Sequence, residues 1–242
     1  MLALGKPVVI FLLNGGSVAV APELATGAAM IDAFYPGAEG AQALANTLFG
    51  KSNRLGKMPY SVMPADWVNT NSMLQMDVAK SKRTYRYGAD SLVPFGAGLS
   101  LSTFKLSLSG SQDKKGLRMS TAERHVQQKI EVAVSNAGKL KGDEVLQLYL
   151  VPKSVPLPQH PIKTLVDFKR LRDIAAGGKA TATFAVAPEQ LLLATAAGNL
   201  DSVPGSYELR VENGAGEVLT TPLTITGNQV THVPFPTVPK PE

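Results

Sequence analysis

The sequence predicts a chain of two parts, an α/β region followed by an all-β sandwich. Before residue 83, apolar runs alternate with a helical pattern, whereas after residue 104 short runs of alternating apolar and polar residues repeat at the spacing of sandwich strands. The segment between them is rich in aromatic residues and glycines, and we interpret it as a connector. The predicted division is 1–82, 83–104 and 105–227, with a proline-rich tail at 228–242.

The α/β region opens with a predicted strand, Val8 to Leu13, which is apolar throughout, as is typical of a parallel strand covered on both faces. A short helix with Pro22 in its first turn follows, and then a second apolar run from Met30 to Tyr35. The clearest helix spans about Glu39 to Phe49, because its apolar residues fall on one face and a glycine follows. Lys57 to Val62 is predicted as a further strand.

The stretch from residue 63 to residue 82 shows little periodicity. It contains Trp67, the only tryptophan, which we interpret as a packing residue rather than a platform for a ligand. In the connector, Thr84, Tyr85 and Tyr87 are typical of a strand.

Seven strands are predicted after the connector, the number in an immunoglobulin-like sandwich. Turn residues separate several of them, as at Asn136-Ala137-Gly138 and Pro204-Gly205. The predicted strands are Lys105 to Gly110, Lys129 to Ser135, Val145 to Leu150, Val166 to Leu171, Lys179 to Val186, Tyr207 to Glu212 and Glu217 to Thr226.

Composition excludes several classes of function. The net charge of +5 is spread over both parts, and the clusters Lys114-Lys115 and 169–172 are too short for a nucleic-acid surface. The absence of cysteine excludes disulfides and thiolate metal sites and leaves the compartment open. The histidines, His125, His160 and His232, are too far apart in sequence to suggest a metal site.

The first apolar run is too short to span a membrane and lacks the charged start and longer core of a signal peptide. The glycine loop that follows it, Asn14 to Ser17, has neither the lysine nor the spacing of a phosphate loop. A serine hydrolase is not indicated, because no GxSxG elbow occurs there and no histidine precedes His125.

Several motifs carry a family resemblance. TYRY at 84–87 and PFGAGLSLSTF at 94–104 resemble the TYRFY and YPFGYGLSYTTF signature of glycoside hydrolase family 3, the β-glucosidases and β-xylosidases. The match continues in family order over most of residues 5 to 226. The other matching segments are 5–16 (GKPLIVL and GG in the family), 34–40 (GGYPGxxGG), 53–59 (NPxGRLP), 73–77 (MTDMxM of the β-xylosidase branch), 142–149 (GDEVVQLY) and 204–207 (PGxY).

The resemblance implies a partial α/β sandwich, the end of the family's C-terminal α/β domain, followed by a fibronectin type III-like domain. In the family, earlier strands of that α/β sandwich precede the segment where this chain begins. We therefore expect Val8 to Leu13 to be an interior strand without all its neighbours, and the chain to expose an apolar edge.

The resemblance also implies an activity, the hydrolysis of terminal β-xylosides or related β-glycosides with retention and without a cofactor. That reaction needs two carboxyl groups roughly 5 Å apart. In the family the nucleophile is an Asp of an N-terminal barrel, and in the xylosidase branch the acid/base is a Glu in an LEAExxDR-like segment. Neither motif occurs in this sequence. We predict no catalytic residue, no cofactor-binding residue, no metal ligand, and no turnover by this chain alone.

None of the acidic residues of the α/β region is expected to replace the two catalytic carboxyl groups. Glu39 lies at the start of a predicted helix, where the backbone dipole favours negative charge. This position explains an acidic residue there without a catalytic role. Asp77 corresponds to the acidic residue of MTDMxM and is expected to shape its loop. The six acids are Glu23, Asp32, Glu39, Asp66, Asp77 and Asp90.

Two hypotheses stay open. In the first, the chain is the C-terminal part of a family 3 glycosidase, most similar to the β-xylosidase or α-arabinofuranosidase branch. It meets an oligosaccharide only within the complete enzyme, and it docks onto the missing N-terminal domain or self-associates through its exposed sheet edge. In the second, it is a non-catalytic carbohydrate- or protein-interaction module built on the sandwich. Family members are often secreted, but the localisation of this chain is not indicated, and xylose, arabinose and glucose are not distinguished.

Overall fold

A computed structural model describes residues 5–88, 90–109, 116–123 and 127–236. It contains an α/β unit, which we define as the described residues up to 103, and a β sandwich that begins at Phe104. The predicted order of an α/β region followed by a sandwich is confirmed. His125, Lys114 and Lys115 lie outside the described residues.

The α/β unit is built on a parallel pair of strands, β1 (Val9–Leu12) and β2 (Ala29–Asp32). A short helix, α1 (Ala21–Ala25), lies in the crossover between them, with a proline in its first turn. The longest of the described helices, α2 (Gly40–Leu48), follows β2, and Gly50, whose φ is +67°, lies just beyond its C-terminal end. These four predicted elements are confirmed.

The predicted strand at Lys57 to Val62 is wrong. Only Val62 forms a bridge, with Val93. The backbone of this segment bonds instead to the PFGAG turn, where Met58 N donates to Ala97 O (2.8 Å) and Gly96 N donates to Met58 O (2.8 Å). Its hydrogen bonds are therefore used in a loop–loop contact rather than in a ladder.

Two further short helices are α3 (Trp67–Thr70) and α4 (Thr84–Tyr87). The strand-like reading of Thr84, Tyr85 and Tyr87 is wrong, because Gly88 N closes a helical turn onto Thr84 O at 2.9 Å. That turn directs the ring of Tyr85 onto the sandwich, so a tertiary contact overrides the local preference of these residues.

The sandwich consists of a five-stranded sheet in the order β4-β12-β11-β6-β7 and a three-stranded sheet in the order β3-β5-β8. All seven predicted strands are present, and β4 is an addition. The strands are β3 (Phe104–Leu108), β4 (Leu117–Ser120), β5 (Gln128–Asn136), β6 (Gly142–Ser154), β7 (Thr164–Ile174), β8 (Lys179–Val186), β11 (Gly205–Glu212) and β12 (Val218–Thr226).

The core of the sandwich forms where the inner faces of the two sheets meet. Alternate residues of β6, Leu146, Leu148 and Leu150, point into it and pack with Val132 and Phe184 of the smaller sheet, all at most 1% exposed. The period-2 pattern of the sequence therefore identifies the core correctly on these strands.

Strand β6 is buried on both of its faces over eleven residues. Its second set of side chains, including Gln147 and Tyr149, lies on the outer face of the five-stranded sheet and is covered by the connector. A sandwich strand normally has one solvated face, so this second burial marks where the α/β unit rests on the sandwich.

A third, small sheet follows a short 3₁₀ helix (Pro188–Leu191) and has the order β13-β10-β9. Its strands are β9 (Leu193–Ala194), β10 (Leu200–Ser202) and β13 (Val230–Val233). The predicted tail from residue 228 is therefore wrong over β13, which pairs with β10. None of the described helices is long and apolar enough to cross a membrane.

Candidate functional site

Three motifs that are far apart in sequence meet where the α/β unit rests on the sandwich. They are 53–59 (NRLGKMP), 94–98 (PFGAG) and 142–145 (GDEV). We call this contact the junction. The motifs that carry the family resemblance thus build an interface between the two parts of the chain.

A buried ion pair lies at the centre of the junction. Lys57 Nζ is 2.9 Å from Glu144 Oε1, and the two side chains are 6% and 2% exposed. Lys57 also donates to Gly98 O (2.8 Å), and Asn213 Nδ2 donates to Glu144 Oε2 (3.1 Å). Both charges therefore have further hydrogen-bond partners, which a buried pair needs to offset its desolvation.

A second ion pair lies beside the first. Arg170 Nη1 of β7 is 2.8 Å from Asp143 Oδ2, while its Nη2 donates to Leu55 O of the α/β unit (3.1 Å). Asp143 Oδ1 accepts the backbone N–H of Asp173 (2.9 Å). The two carboxylates at the start of β6 thus each take a cation, one from the α/β unit and one from the sandwich.

The rim of the junction carries Asp173, which accepts from Arg54 of the α/β unit and from Lys141 of the sandwich, each at 3.2 Å. The hydrogen bond from Lys141 and then that from Arg54 hold the pKa of the Asp173 carboxyl below its ordinary value. Because the side chains of Arg54, Lys141 and Asp173 are largely exposed, water screens their attraction. These contacts therefore stabilise the fold less than the buried ion pair does.

Aromatic rings fill the other side of the junction. The ring of Tyr85 stacks on Phe95, with centroids 4.2 Å apart, and meets the ring of Tyr149 edge-on at 6.1 Å. Tyr85 Oη accepts the backbone N–H of Leu165 of β7 (3.0 Å). These contacts hold the connector against the sandwich. Burial raises the pKa of the Tyr149 hydroxyl.

Glycine is required at Gly96 for two reasons. Its φ is +82°, and a Cβ atom there would lie 2.3 Å from Gln147 Oε1 and 2.8 Å from Tyr149 Oη. The PFGAG turn can therefore approach β6 only without a side chain at this position.

The junction was not predicted from the sequence. A usable signal was present in the strand VLQLYLV at 145–151, whose nearly continuous apolar character is typical of burial on both faces. The partners of Asp143 and Glu144 lie 27 and 87 residues away, and no local pattern identifies them.

A polar cluster lies where the parallel strands end. Asp32, the last residue of β2, accepts the Phe34 N–H through Oδ1 (3.2 Å) and the Tyr60 hydroxyl through Oδ2 (2.9 Å). Burial and then the hydrogen bond to Asp32 raise the pKa of Tyr60. Phe34 has a φ of +53° and meets Tyr60 edge-on. In parallel sheets, ligands bind beyond this end of the strands.

The remaining weighed acids occupy structural positions. Glu39 is exposed and directly precedes α2, as expected from the helix dipole. Asp77 Oδ1 accepts the N–H groups of Ala79 and Lys80 (3.0 and 3.1 Å), so it shapes its loop, and the bond from Lys80 lowers its pKa. Glu23 lies in the first turn of α1, Asp66 directly precedes α3, and Asp90 is exposed.

The described residues contain no group of three acids or histidines that could hold a metal ion. His160 Nδ1 lies 3.0 Å from Pro161 O, and His232 is in β13.

An apolar groove of about 460 Å³ runs along the α/β unit, between β2, the segment 55–58 and the PFGAG turn. Its walls are mostly aliphatic, and Asp32, Phe34 and Lys57 are also among the lining residues. The lining includes Val18, Leu24, Met30, Leu55, Met58 and Leu99.

A second cavity, of about 360 Å³, lies between the segments 59–67 and 82–85. Trp67 lines it together with Tyr60 and Arg83. The indole is only partly buried, so the sequence-based interpretation of Trp67 as a packing residue describes only part of its surroundings.

Comparison with known proteins identifies both parts of the chain. The glycosyl hydrolase family 3 C-terminal domain matches residues 1–101, and the fibronectin type III-like domain matches residues 144–215. A probable exo-1,4-beta-xylosidase of Aspergillus fumigatus is 30% identical over 252 residues, which cover 98% of this chain and 33% of that protein.

Solved structures of glycosidases share the fold of this chain. A GH3 exo-beta-xylosidase in complex with a xylobiose aziridine probe superposes with a TM-score of 0.86 at 26% identity, covering 98% of this chain and 33% of that one. A beta-glucosidase from Listeria innocua in complex with isofagomine gives 0.74 at 26% identity, covering 94% of this chain and 32% of that one. The chain therefore spans about a third of the length of its relatives. It belongs to glycoside hydrolase family 3, of which it carries the C-terminal α/β domain and the fibronectin type III-like domain.

Proposed function

We propose that this chain is the C-terminal part of a retaining β-glycosidase that hydrolyses terminal β-xylosides in xylan breakdown. Its catalytic nucleophile and acid/base come from a part of the enzyme outside these 242 residues. The sandwich holds the α/β domain in place through the junction, and the α/β domain in turn borders the substrate cleft. The xylosidase relatives, aligned over nearly all of this chain, support the choice of xylosides.

One observation carries the proposal, the apolar surface that the α/β unit leaves uncovered. Val9 in β1 is 46% exposed and Leu13 just after it is 62% exposed, although both belong to a run typical of a buried strand. The apolar groove adds to this surface. We propose that the N-terminal part of the complete enzyme covers it, and that in its absence copies of the chain associate through the same surface.

The placement of the acids supports a catalytic centre elsewhere. Retention requires one carboxylate free to attack the sugar and a second carboxyl group across the bond. In the α/β unit, Asp32 already accepts two hydrogen bonds, Asp77 accepts two backbone N–H groups, and Glu39 lies exposed before a helix.

The test is hydrolysis of an aryl β-xyloside by the purified chain. We expect no turnover, either by the chain itself or by its variants Glu39→Gln, Asp32→Asn and, as a control on an exposed acid of the sandwich, Glu189→Gln. Activity that is present in the chain, lost in Glu39→Gln or Asp32→Asn and kept in Glu189→Gln would overturn the proposal.

A second experiment measures the size of the native protein. An antibody raised against residues 105–226 is used to blot extract from the source organism. The proposal predicts a band far larger than 242 residues require, or a second polypeptide that copurifies with the chain. A band of the size of this chain, without a partner, would contradict it.

The closed core of the sandwich favours a second candidate, a non-catalytic interaction module, because this part is complete within the described residues. Light scattering after size-exclusion chromatography separates the two candidates. A monodisperse monomer is expected for a module, and concentration-dependent association for an α/β domain whose apolar surface is uncovered.

A further inference from the structure

The second cavity, which we call the Trp67 cavity, has the size of a small-molecule site. Its volume of about 360 Å³ falls within the range of roughly 300–1,000 Å³ that is common for such sites. One wall comes from the segment 59–67 and includes Tyr60 and Trp67, and the other comes from the start of the connector and includes Arg83 and Thr84.

The lining combines flat apolar surfaces with hydrogen-bonding groups. Tyr60 and Trp67 provide aromatic rings, and Arg83 provides a guanidinium of which one nitrogen donates to Ser72 O. The hydroxyls of Ser61 and Thr84 accept backbone N–H groups (3.1 and 3.3 Å) and keep an O–H with which to donate. A sugar ring presents the complementary features, apolar C–H faces and a rim of hydroxyls that both donate and accept. Sites for small molecules are usually built in this way, with a few polar groups set in an apolar lining.

The backbone at this cavity is strained. Lys82 and Thr84, which both line it, have φ angles of +50° and +61°. Such angles are rare for residues other than glycine and rarer still for a β-branched residue such as threonine. Phe34, which contacts Tyr60, is a third, and among the described non-glycine residues only Asp173 shares this conformation.

The strained turn is held by its neighbours. Arg83 N donates to Val78 O (2.9 Å), Lys82 N donates to Ala79 O (3.1 Å), and Gly88 packs so closely on Lys82 O that a Cβ would lie 2.2 Å from it. Strain that the surroundings maintain is concentrated at ligand clamps and active sites, because it presents side chains in a fixed arrangement.

Tyr60 connects the cavity to the polar cluster at the ends of β1 and β2. Tyr60 belongs to both, since its ring lines the cavity while its hydroxyl donates to Asp32 Oδ2 (2.9 Å). The Trp67 cavity therefore lies beside the end of the parallel strands at which ligands bind in open α/β sheets.

We propose that the Trp67 cavity binds a pyranose unit of a xylo-oligosaccharide, with the indole of Trp67 against one face of the ring and Arg83 on its hydroxyls. The choice of xylose rests on the proposed function, whereas the sugar-binding role rests on the lining and the strained turn. This chain then contributes a binding site for the substrate and not only support.

Trp67 makes the test direct, because it is the only tryptophan and its fluorescence reports on the cavity. The chain is titrated with xylotriose and, in parallel, with cellotriose. We expect a saturable fluorescence change with xylotriose and a weaker response to cellotriose. No saturable change with xylotriose would overturn the proposal, and so would a stronger response to cellotriose.

Variants locate the binding by calorimetry. Trp67→Ala is expected to weaken binding of xylotriose by about tenfold, the effect of losing one stacked aromatic contact. Phe168→Ala removes an exposed aromatic ring from β7, where the residue is 59% exposed, and serves as the matched control. Unchanged affinity in Trp67→Ala, with circular dichroism that shows a folded sandwich, would contradict the assignment, as would an equal loss in Phe168→Ala.

This test separates the two proposals. Binding is measured without hydrolysis, so a chain that turns over xylosides through its own carboxylates would refute the proposed function and leave the binding result intact. A chain that is inactive and does not bind xylotriose would refute the inference alone.

Discussion

The sandwich and the α/β unit differ in where their apolar residues lie. In the sandwich, Leu148, Val132 and Phe184 are fully buried in one continuous core. In the α/β unit, by contrast, only Val20 and Val62 are buried hydrophobic residues among the described positions.

This difference in burial does not arise because the helices and strands of the α/β unit fail to form. Helix α2 forms as predicted, yet Leu48 on its apolar face is 47% exposed and the adjacent Phe49 is 80% exposed. Strands β1 and β2 pair in register over four residues, yet Val9 stays half exposed. Helix and strand preferences are encoded within each segment, whereas a core requires covering partners, and the described residues supply them only to the sandwich.

The largest expected effect comes from separating the two regions at the buried ion pair. Glu144→Gln leaves Lys57 as a buried charge without a carboxylate, a change that costs about 3–5 kcal/mol. Unfolding in urea is followed by Trp67 fluorescence, which reports on the α/β unit, and by circular dichroism, which reports mainly on the sandwich. In the variant the fluorescence transition is expected to move to lower urea than the circular dichroism transition.

The control is Glu208→Gln, which removes a carboxylate near the surface that pairs with Lys153, 49% exposed, and with Arg210, 28% exposed. The expected loss is about 0.2–1 kcal/mol for each pair. Equal losses in the two variants, or coincident transitions in Glu144→Gln, would show that the buried pair does not join the regions.

The next effect compares one substitution in both regions. Leu148→Ala creates a cavity in the sandwich core and is expected to lower the free energy of unfolding by about 2–5 kcal/mol. Leu13→Ala removes a side chain that is 62% exposed, and the expected change is within about 0.5 kcal/mol. Urea unfolding of both variants measures the difference. A large loss in Leu13→Ala would mean that the chain buries this residue in solution.

The smallest effect concerns the rim of the junction and depends on pH. The pKa of Asp173 is lowered in the folded chain, so its stabilising contribution is present above the unfolded value of about 3.8 and is lost as the pH falls through the lower, folded value. Asp173→Asn keeps a residue that tolerates the φ of +54° at this position. The stability difference between the chain and this variant is expected to be small at pH 7 and to vanish at the acidic end of a pH series. A difference that grows on acidification contradicts this sign.

The sequence predicts the sandwich better than the α/β unit for a physical reason. Alternation of apolar residues along β5, β8 and β11 corresponds directly to one buried face, so the pattern alone identifies the strands and their core residues. The segment from Lys57 to Val62 has a similar apolar pattern, but its backbone bonds to the PFGAG turn. Residues almost forty positions away therefore decide whether this backbone pairs in a β ladder or bonds to a loop.

The candidate site is less predictable still. The motifs of family 3 identify the family, but nothing in them shows that Lys57 and Glu144 are partners or that Trp67 lines a cavity. The strained conformations of Lys82 and Thr84 are held by the hydrogen bonds from Lys82 N to Ala79 O and from Gly88 N to Thr84 O rather than by the preferences of the two residues themselves. Properties that arise from packing between distant segments have no local signature in a single sequence.

Hydrogen exchange of the purified chain, followed by mass spectrometry, tests the central claim most directly, namely that the sandwich is complete and the α/β unit needs a covering partner. The account predicts that amides of β6 and β11 exchange only through global unfolding, while those of β1 and β2 exchange orders of magnitude faster through local opening. Protection of β1 and β2 equal to that of β6 in the monomeric chain would contradict it, because the α/β unit would then be stable without a partner.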